Sequence, residues 1–212
     1  MKNRLDRFDI SGEQLYGISM AKPIQVYELA LDSLIPFADI GAPEDFYSSI
    51  SVHDSILLVS IMEYGVRGYR IESLPEEEIL FEDWRGKLSQ SASMLGGEII
   101  LAHGEQGLEL LELDSEGELS GSATFSPKKR ILDVENAGGF AIIAAGRGGI
   151  ITLDPENRFS EIDDYYKEGV MRDLYSPGEY AYSAVEGRGT RAFRIISGGK
   201  LRRKKLIEHE RP

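Results

Sequence analysis

The 212-residue chain has no cysteine, which excludes disulfides and thiolate-held metals. It has no long hydrophobic run either. The longest, Ser55–Met62, is eight residues, whereas a membrane-spanning helix needs about 20. No apolar segment follows the basic start Met1-Lys-Asn-Arg-Leu-Asp-Arg7, so the sequence reads as having no secretory leader. No Asn-x-Ser/Thr sequon occurs. These absences together lead us to expect a cytoplasmic protein with no membrane partner.

Basic residues are in short supply, with 24 Lys and Arg against 36 Asp and Glu, for a net charge of −12. That balance disfavours a nucleic-acid partner, whose phosphates the chain as a whole repels. Only three histidines are present, His53, His103 and His209. They lack the His-x-His or His-Glu-x-x-His spacing that gathers zinc ligands. A single tryptophan, Trp84, weakens a sugar-binding reading, because five repeated sites that stack sugar rings need more such aromatics. What remains is 42% hydrophobic and 28% charged, the composition of one globular domain.

What is present is repetition. The glycine of Met62-Glu-Tyr-Gly65 opens Val66-Arg-Gly-Tyr-Arg-Ile71, and the same phrase returns as Gly107-Leu-Glu-Leu-Leu-Glu-Leu113, Gly149-Ile-Ile-Thr-Leu153 and Gly189-Thr-Arg-Ala-Phe-Arg-Ile195. Pro23-Ile-Gln-Val-Tyr-Glu-Leu29 is a fifth copy. The anchors Pro23, Gly65, Gly107, Gly149 and Gly189 are 42, 42, 42 and 40 residues apart. A second column, Gly12, Asp54, Gly96, Gly138 and Gly178, stands eleven residues before each anchor. These residue types tolerate positive φ and mark turns. A short apolar run follows each, such as Ile56-Leu-Leu-Val59 and Ile99-Ile-Leu-Ala102, which reads as a strand buried on both faces.

Each unit therefore predicts four short antiparallel strands, a to d, best seen in the second copy as Phe46–Ser51, Ser55–Met62, Val66–Leu74 and Glu77–Trp84. The first a strand falls at Arg7–Ser11 and the last d strand at Lys200–Ile207. Four-stranded units of about 42 residues are the signature of β-propeller blades. The expectation is an all-β, five-bladed β-propeller in one domain, with blades at about 5–42, 45–86, 88–128, 129–168 and 169–210. A two-sheet sandwich gives no reason for turn columns at fixed spacing.

Gly107-Leu-Glu-Leu-Leu-Glu-Leu-Asp114 and Gly149-Ile-Ile-Thr-Leu-Asp-Pro155 resemble the glycine, strand, Asp, Pro rhythm of LVIVD-type propeller repeats. The other three copies match this rhythm loosely. The resemblance implies a propeller and a mostly binding role, and it brings no catalytic residues. The Gly-His and Trp-Asp marks of WD repeats are missing.

The blade reading sorts the charges. The d–a and b–c loops carry Lys22, Arg85, Lys87, Lys128, Lys129, Arg147, Lys167 and Arg188, a slightly basic set of candidate binding residues; the a–b and c–d loops are strongly acidic. The final strand adds Arg202, Arg203, Lys204 and Lys205, either docking an acidic partner or guarding an exposed edge. In the innermost strands, polar residues alternate as Arg7 and Asp9, Ser49 and Ser51, Ser91 and Ser93, Asp133 and Glu135, Asp173 and Tyr175. Asp133, Glu135 and Asp173 are the candidate ligands for a divalent cation such as calcium in a central channel, or acid and base groups there. The alternative is a polar, water-filled channel. Tyr27, Tyr69 and Phe193 recur within the c strand and are assigned to the core between blades.

These readings point to a non-catalytic protein-interaction module or scaffold subunit with other protein subunits as partners. The alternatives are a hydrolase-like enzyme using the channel carboxylates and a carbohydrate- or small-ligand-binding propeller. Affinity is expected to come from surfaces, because no nucleophile or phosphate cradle stands out. Gly146-Arg-Gly-Gly149 lacks the Lys-Ser/Thr of a phosphate loop and reads as a hairpin turn.

Overall fold

A computed structural model of the chain describes residues 5–84, 88–114, 116–126, 129–157, 159–165 and 169–207. Among them, twenty strands form five separate four-stranded antiparallel sheets. The first contains β1 (Arg7–Ser11), β2 (Gln14–Ile18), β3 (Ile24–Ala30) and β4 (Ser33–Ile40). The second contains β5 (Tyr47–His53), β6 (Ile56–Ile61), β7 (Gly65–Arg70) and β8 (Ile79–Trp84). The third contains β9 (Ser91–Leu95), β10 (Glu98–Ala102), β11 (Leu108–Leu113) and β12 (Leu119–Phe125). The fourth contains β13 (Asp133–Ala137), β14 (Phe140–Ala144), β15 (Ile150–Asp154) and β16 (Ser160–Tyr165), and the fifth β17 (Met171–Tyr175), β18 (Tyr180–Val185), β19 (Gly189–Ile196) and β20 (Lys200–Ile207). Each sheet is one continuous piece of chain, paired in sequence order. No helix among the described residues is long and apolar enough to cross a membrane.

The turn column explains the register. Gly12, Asp54, Gly96, Gly138 and Gly178 all have positive φ, between 50° and 70°, which lets each a strand reverse tightly into its b strand. Ser11 then faces Gln14, and Ala137 faces Phe140. Asp54 is the one side chain in this conformation, which Asp and Asn tolerate better than most residues. The c strand of the second sheet, Gly65–Arg70, is shorter than the predicted Val66–Leu74. Ile71–Ser73 form a 3-10 turn that leads to Pro75, whose ring removes the N–H a longer strand would need.

The contacts fall into two compact units. In the unit built on residues 1–92, β1 and β2 pack against β5. Its core joins Tyr16, Ile18, Ile24 and Val26 of the first blade to Ile50, Leu57, Val59, Ile61 and Tyr69 of the second. In the other unit, Ile100, Ala102 and Leu108 meet Val134, Ile143 and Ile151, and Ile142, Ala144 and Ile150 meet Met171, Leu174 and Phe193. Every cluster thus lies between consecutive blades. This is why the b strands read as unbroken apolar runs: Leu57, Leu58 and Val59 are all buried although they point to alternate faces. Tyr27, Tyr69 and Phe193 are buried as expected.

Candidate interaction surfaces

The alternating polar residues of the a strands act mainly on the neighbouring backbone. An innermost strand has one row of backbone groups with no sheet partner, and such groups need an acceptor when buried. Side chains of the preceding blade supply it. Val52 N–H donates to Asp9 Oδ2 at 2.7 Å, and Ala92 N–H to Ser49 Oγ at 3.2 Å. Asn136 N–H donates to Ser93 Oγ at 3.2 Å, and Leu174 N–H to Asp133 Oδ2 at 2.7 Å. Each bond spans one repeat. Asp133 is buried, and its other oxygen accepts Val134 N–H at 3.1 Å. Both carboxylate oxygens are therefore engaged with backbone donors. Glu135 is half-buried and Asp173 exposed. No group of three or more His, Asp or Glu among the described residues is placed to hold a metal ion.

Of the candidate cations, Arg85, Lys87, Lys128 and Lys167 lie outside the described residues. Lys22 and Lys129 are half-buried, while Arg147 and Arg188 are exposed at the b–c turns of the fourth and fifth blades. The Gly146–Gly149 segment is a hairpin turn, closed by Ala145 N–H to the Gly149 carbonyl at 2.8 Å. Arg188 has Glu186 two residues away, and Glu186 pairs with Arg172 at 3.0 Å, so the local charge there is mixed. On β20, Arg202, Arg203 and Lys204 are exposed; Lys205 is placed in the strand by its backbone. Arg202 sits opposite Arg194, whose charge is met by Glu179 at 2.8 Å.

The most developed surface was not among the sequence candidates. At the b–c and d–a loops of the second blade, Phe46, Met62, Tyr64, Trp84 and Leu88 are each 39–55% exposed. They are neighbours: Met62 N–H donates to the Phe46 carbonyl at 2.8 Å, and Ser89 N–H to the Met62 carbonyl at 3.0 Å. Tyr64 and Trp84 meet edge to face with ring centroids 5.1 Å apart. Beneath them lies a network of buried charge. The Arg67 guanidinium stands 5.1 Å from the Trp84 ring, donates to Asp45 at 3.0 Å and Tyr69 Oη at 3.1 Å, and reaches Glu82 at 3.1 Å. Tyr47 also donates to Asp45, at 3.3 Å. Burial, with Tyr69 and Asp45 nearby, pushes the Tyr47 phenol up. Arg67 and Asp45 are buried, and a buried pair of this kind holds geometry only when every donor finds an acceptor. The network fixes the rings above it. In the sequence the b–c and d–a loops group on one side, but only their charged residues stand out as candidates, so the exposed apolar residues Phe46, Met62, Tyr64, Trp84 and Leu88 carry no signal there.

The histidines that can be described do local work. His53 Nε2 lies 3.1 Å from Ser51 Oγ, and burial lowers the imidazole's proton affinity despite Asp9 and Asp54 nearby. His103 Nε2 is 3.2 Å from Glu109 Oε2, both side chains being buried. His209 lies outside the described residues.

No protein-family model matches the chain, and no curated protein matches it in sequence. Among solved structures it is similar to the computationally designed Ika8 protein, with 11% identity and a TM-score of 0.66 over 95% of this chain and 62% of that one. It is also similar to the Cps50 (Swd1) β-propeller domain of Myceliophteria thermophila, with 11% identity and a TM-score of 0.73 over 97% of this chain and 75% of that one. The chain thus spans less than two thirds of the designed protein. Likeness at this identity concerns the fold. Taken with the five four-stranded sheets, it defines the chain as a five-bladed β-propeller protein.

Proposed function

We propose that the protein is a non-catalytic interaction module whose principal docking surface is the aromatic patch of the second blade. The observation that carries this reading is the clustering of the exposed Phe46, Met62, Tyr64, Trp84 and Leu88, with Tyr64 packed on Trp84 and Trp84 seated on Arg67. Exposed apolar side chains scattered singly need no explanation, but a cluster with rigid aromatics at its centre is the composition of a binding hot spot. The resemblance to LVIVD-type repeats adds the expectation of a binding role, with other protein subunits as partners.

The test is affinity purification with native mass spectrometry on wild type, Tyr64→Ala/Trp84→Ala and, as a second surface, Arg202→Glu/Lys204→Glu. The reading predicts a stoichiometric partner that the aromatic double variant loses. A partner retained at full occupancy by that variant would move the docking site elsewhere.

A further inference from the structure

The outer edge of the first blade poses a separate question. β4 is the last strand of its sheet and has one side without a sheet partner, and an edge of this kind is a template for another strand. Proteins usually blunt it with charge, above all lysine. β4 reads Ser33-Leu-Ile-Pro-Phe-Ala-Asp-Ile40, with no Lys or Arg. Leu34, Ile35 and Phe37 are 46%, 48% and 37% exposed, and Leu31 just before the strand is fully exposed. Apolar side chains on both faces of an edge strand gain nothing from the protein's own core. Pro36, which has no N–H to donate, and the register shift beside it at Phe37 interrupt the edge and divide it into two short stretches, of which Ser33–Ile35 is regular.

A cleft of about 670 Å³ adjoins this edge, lined by Glu13, Gln14, Glu28, Leu29, Ile35 and Ile71 among others. Ile35 belongs to both the edge and the cleft wall. Glu13 and Glu28 of its lining are exposed, and so are Asp32 and Asp39 toward the two ends of β4. Glu72 is near enough that, after burial, it is the second cause raising the Tyr16 phenol in the cleft. Arg70, two residues before Glu72, is paired with Glu78 at 2.8 Å. The surface is therefore apolar along the strand and negative around the cleft.

We propose that β4 accepts an extended, basic segment of a partner protein by strand addition, with its apolar residues on the Leu34 face of the strand and its alternate Lys or Arg residues on the opposite, Ile35 face, where one enters the cleft toward Glu13 and Glu28. Backbone pairing supplies affinity, and pockets for alternate side chains supply selectivity. Charge complementarity selects this occupant over a second copy of the chain. Antiparallel pairing of two β4 strands centred at Ile35 and Pro36 brings Asp32 of each copy to the Asp39 end of the other, and like charges directly opposite one another destabilise a strand pair.

The experiment uses the full chain and three labelled decapeptides: alternating valine and lysine, the same composition with the lysines in one block, and alternating valine and glutamate. Fluorescence anisotropy reads affinity, and hydrogen exchange read by mass spectrometry locates the peptide. The proposal expects the alternating basic peptide to bind at least tenfold tighter than the other two. It also expects bound peptide to protect residues 33–40, Ile35→Lys to lose at least tenfold, and Glu28→Gln to lose severalfold. Both substitutions are at exposed positions, and an unchanged melting temperature shows that the variants are folded. Equal binding of the blocked peptide, protection elsewhere, or full affinity in Ile35→Lys would overturn the proposal. So would a concentration-dependent oligomer that Ile35→Lys abolishes, since a second copy would then own the edge.

Discussion

The two ends of a blade face the same chemical problem and meet it differently. Both the first and the last strand of a four-stranded sheet leave one row of backbone groups unpaired. At the inner end, side chains of the preceding blade take the N–H groups: Asp9, Ser49, Ser93 and Asp133 accept from Val52, Ala92, Asn136 and Leu174. At the outer end one such bond is seen among the described residues, from Leu201 N–H of β20 to Asp163 Oδ2 of the preceding blade at 2.8 Å, and it has no counterpart on β4. β20 carries Lys200, Arg202, Arg203, Lys204 and Lys205, whereas β4 carries Leu34, Ile35 and Phe37. Polar residues at the inner edge thus serve the fold, and the variable composition of the outer edges is where blades differ in what they can meet. A charged residue reads differently at the two ends. Asp9 and Asp133 on inner strands are acceptors already in use, whereas Arg202 and Lys204 on the outer strand β20 are exposed.

The largest effect that separates these roles is expected at Asp133. Asp133→Ala leaves the buried Leu174 and Val134 N–H groups without their acceptor, and such a loss costs about 2–3 kcal/mol. For a chain of this length the melting temperature should fall by roughly 5–10 °C. A change below about 2 °C would show that the bond to Leu174 contributes little. Ser93→Ala removes a neutral acceptor from Asn136 and should cost less, about 1 kcal/mol in chemical denaturation. A cost equal to that of Asp133→Ala would mean that charge is irrelevant to the latch.

Much of this was legible in the sequence, for a physical reason. Turns that need positive φ restrict residue type, so the column that begins at Gly12 and the anchors Gly65, Gly107, Gly149 and Gly189 recur at a fixed distance and set the strands between them. Arg7–Ser11 and Lys200–Ile207 are predicted and observed with the same bounds. The inner-strand alternation was visible too, but its use was not. A hydrogen bond from Leu174 to Asp133 crosses 41 residues, and only the packing of one blade on the next brings the pair together. Arg67 and Asp45 are likewise 22 residues apart; Arg67 shares its repeat position with Arg191, but the Asp45 position is Lys87, Lys129 and Gly169 in the later copies, so the pair beneath Trp84 had no periodic signal. The exposed face of β4 was hidden for the opposite reason. Leucine, isoleucine and phenylalanine in a strand look the same in sequence whether they face a core or water.

At the outer edge the expected effects on stability are small and those on binding are large. Arg202→Glu/Lys204→Glu should change unfolding free energy by less than about 0.5 kcal/mol, because these side chains lie outside the core. If the strip docks an acidic surface, partner capture should fall and should weaken steeply with added salt. If the double variant aggregates alone yet binds normally, the strip guards the edge and does not dock. The smallest effect is expected from calcium. With both Asp133 oxygens engaged by backbone donors, millimolar calcium should leave the melting temperature unchanged. A calcium-dependent rise that Asp133→Asn abolishes would instead assign Asp133, Glu135 and Asp173 to a cation site, since binding to the native state alone must stabilise it.

The contrast between inner and outer edges is tested most directly by residue-resolved amide hydrogen exchange on the unliganded wild type. The account predicts that the Val52, Ala92, Asn136 and Leu174 amides exchange slowly, as donors to side chains of the preceding blade, while the outward-directed amides of β4 exchange rapidly. Fast exchange at Leu174 and Val52, at the rate of the β4 edge, would contradict it.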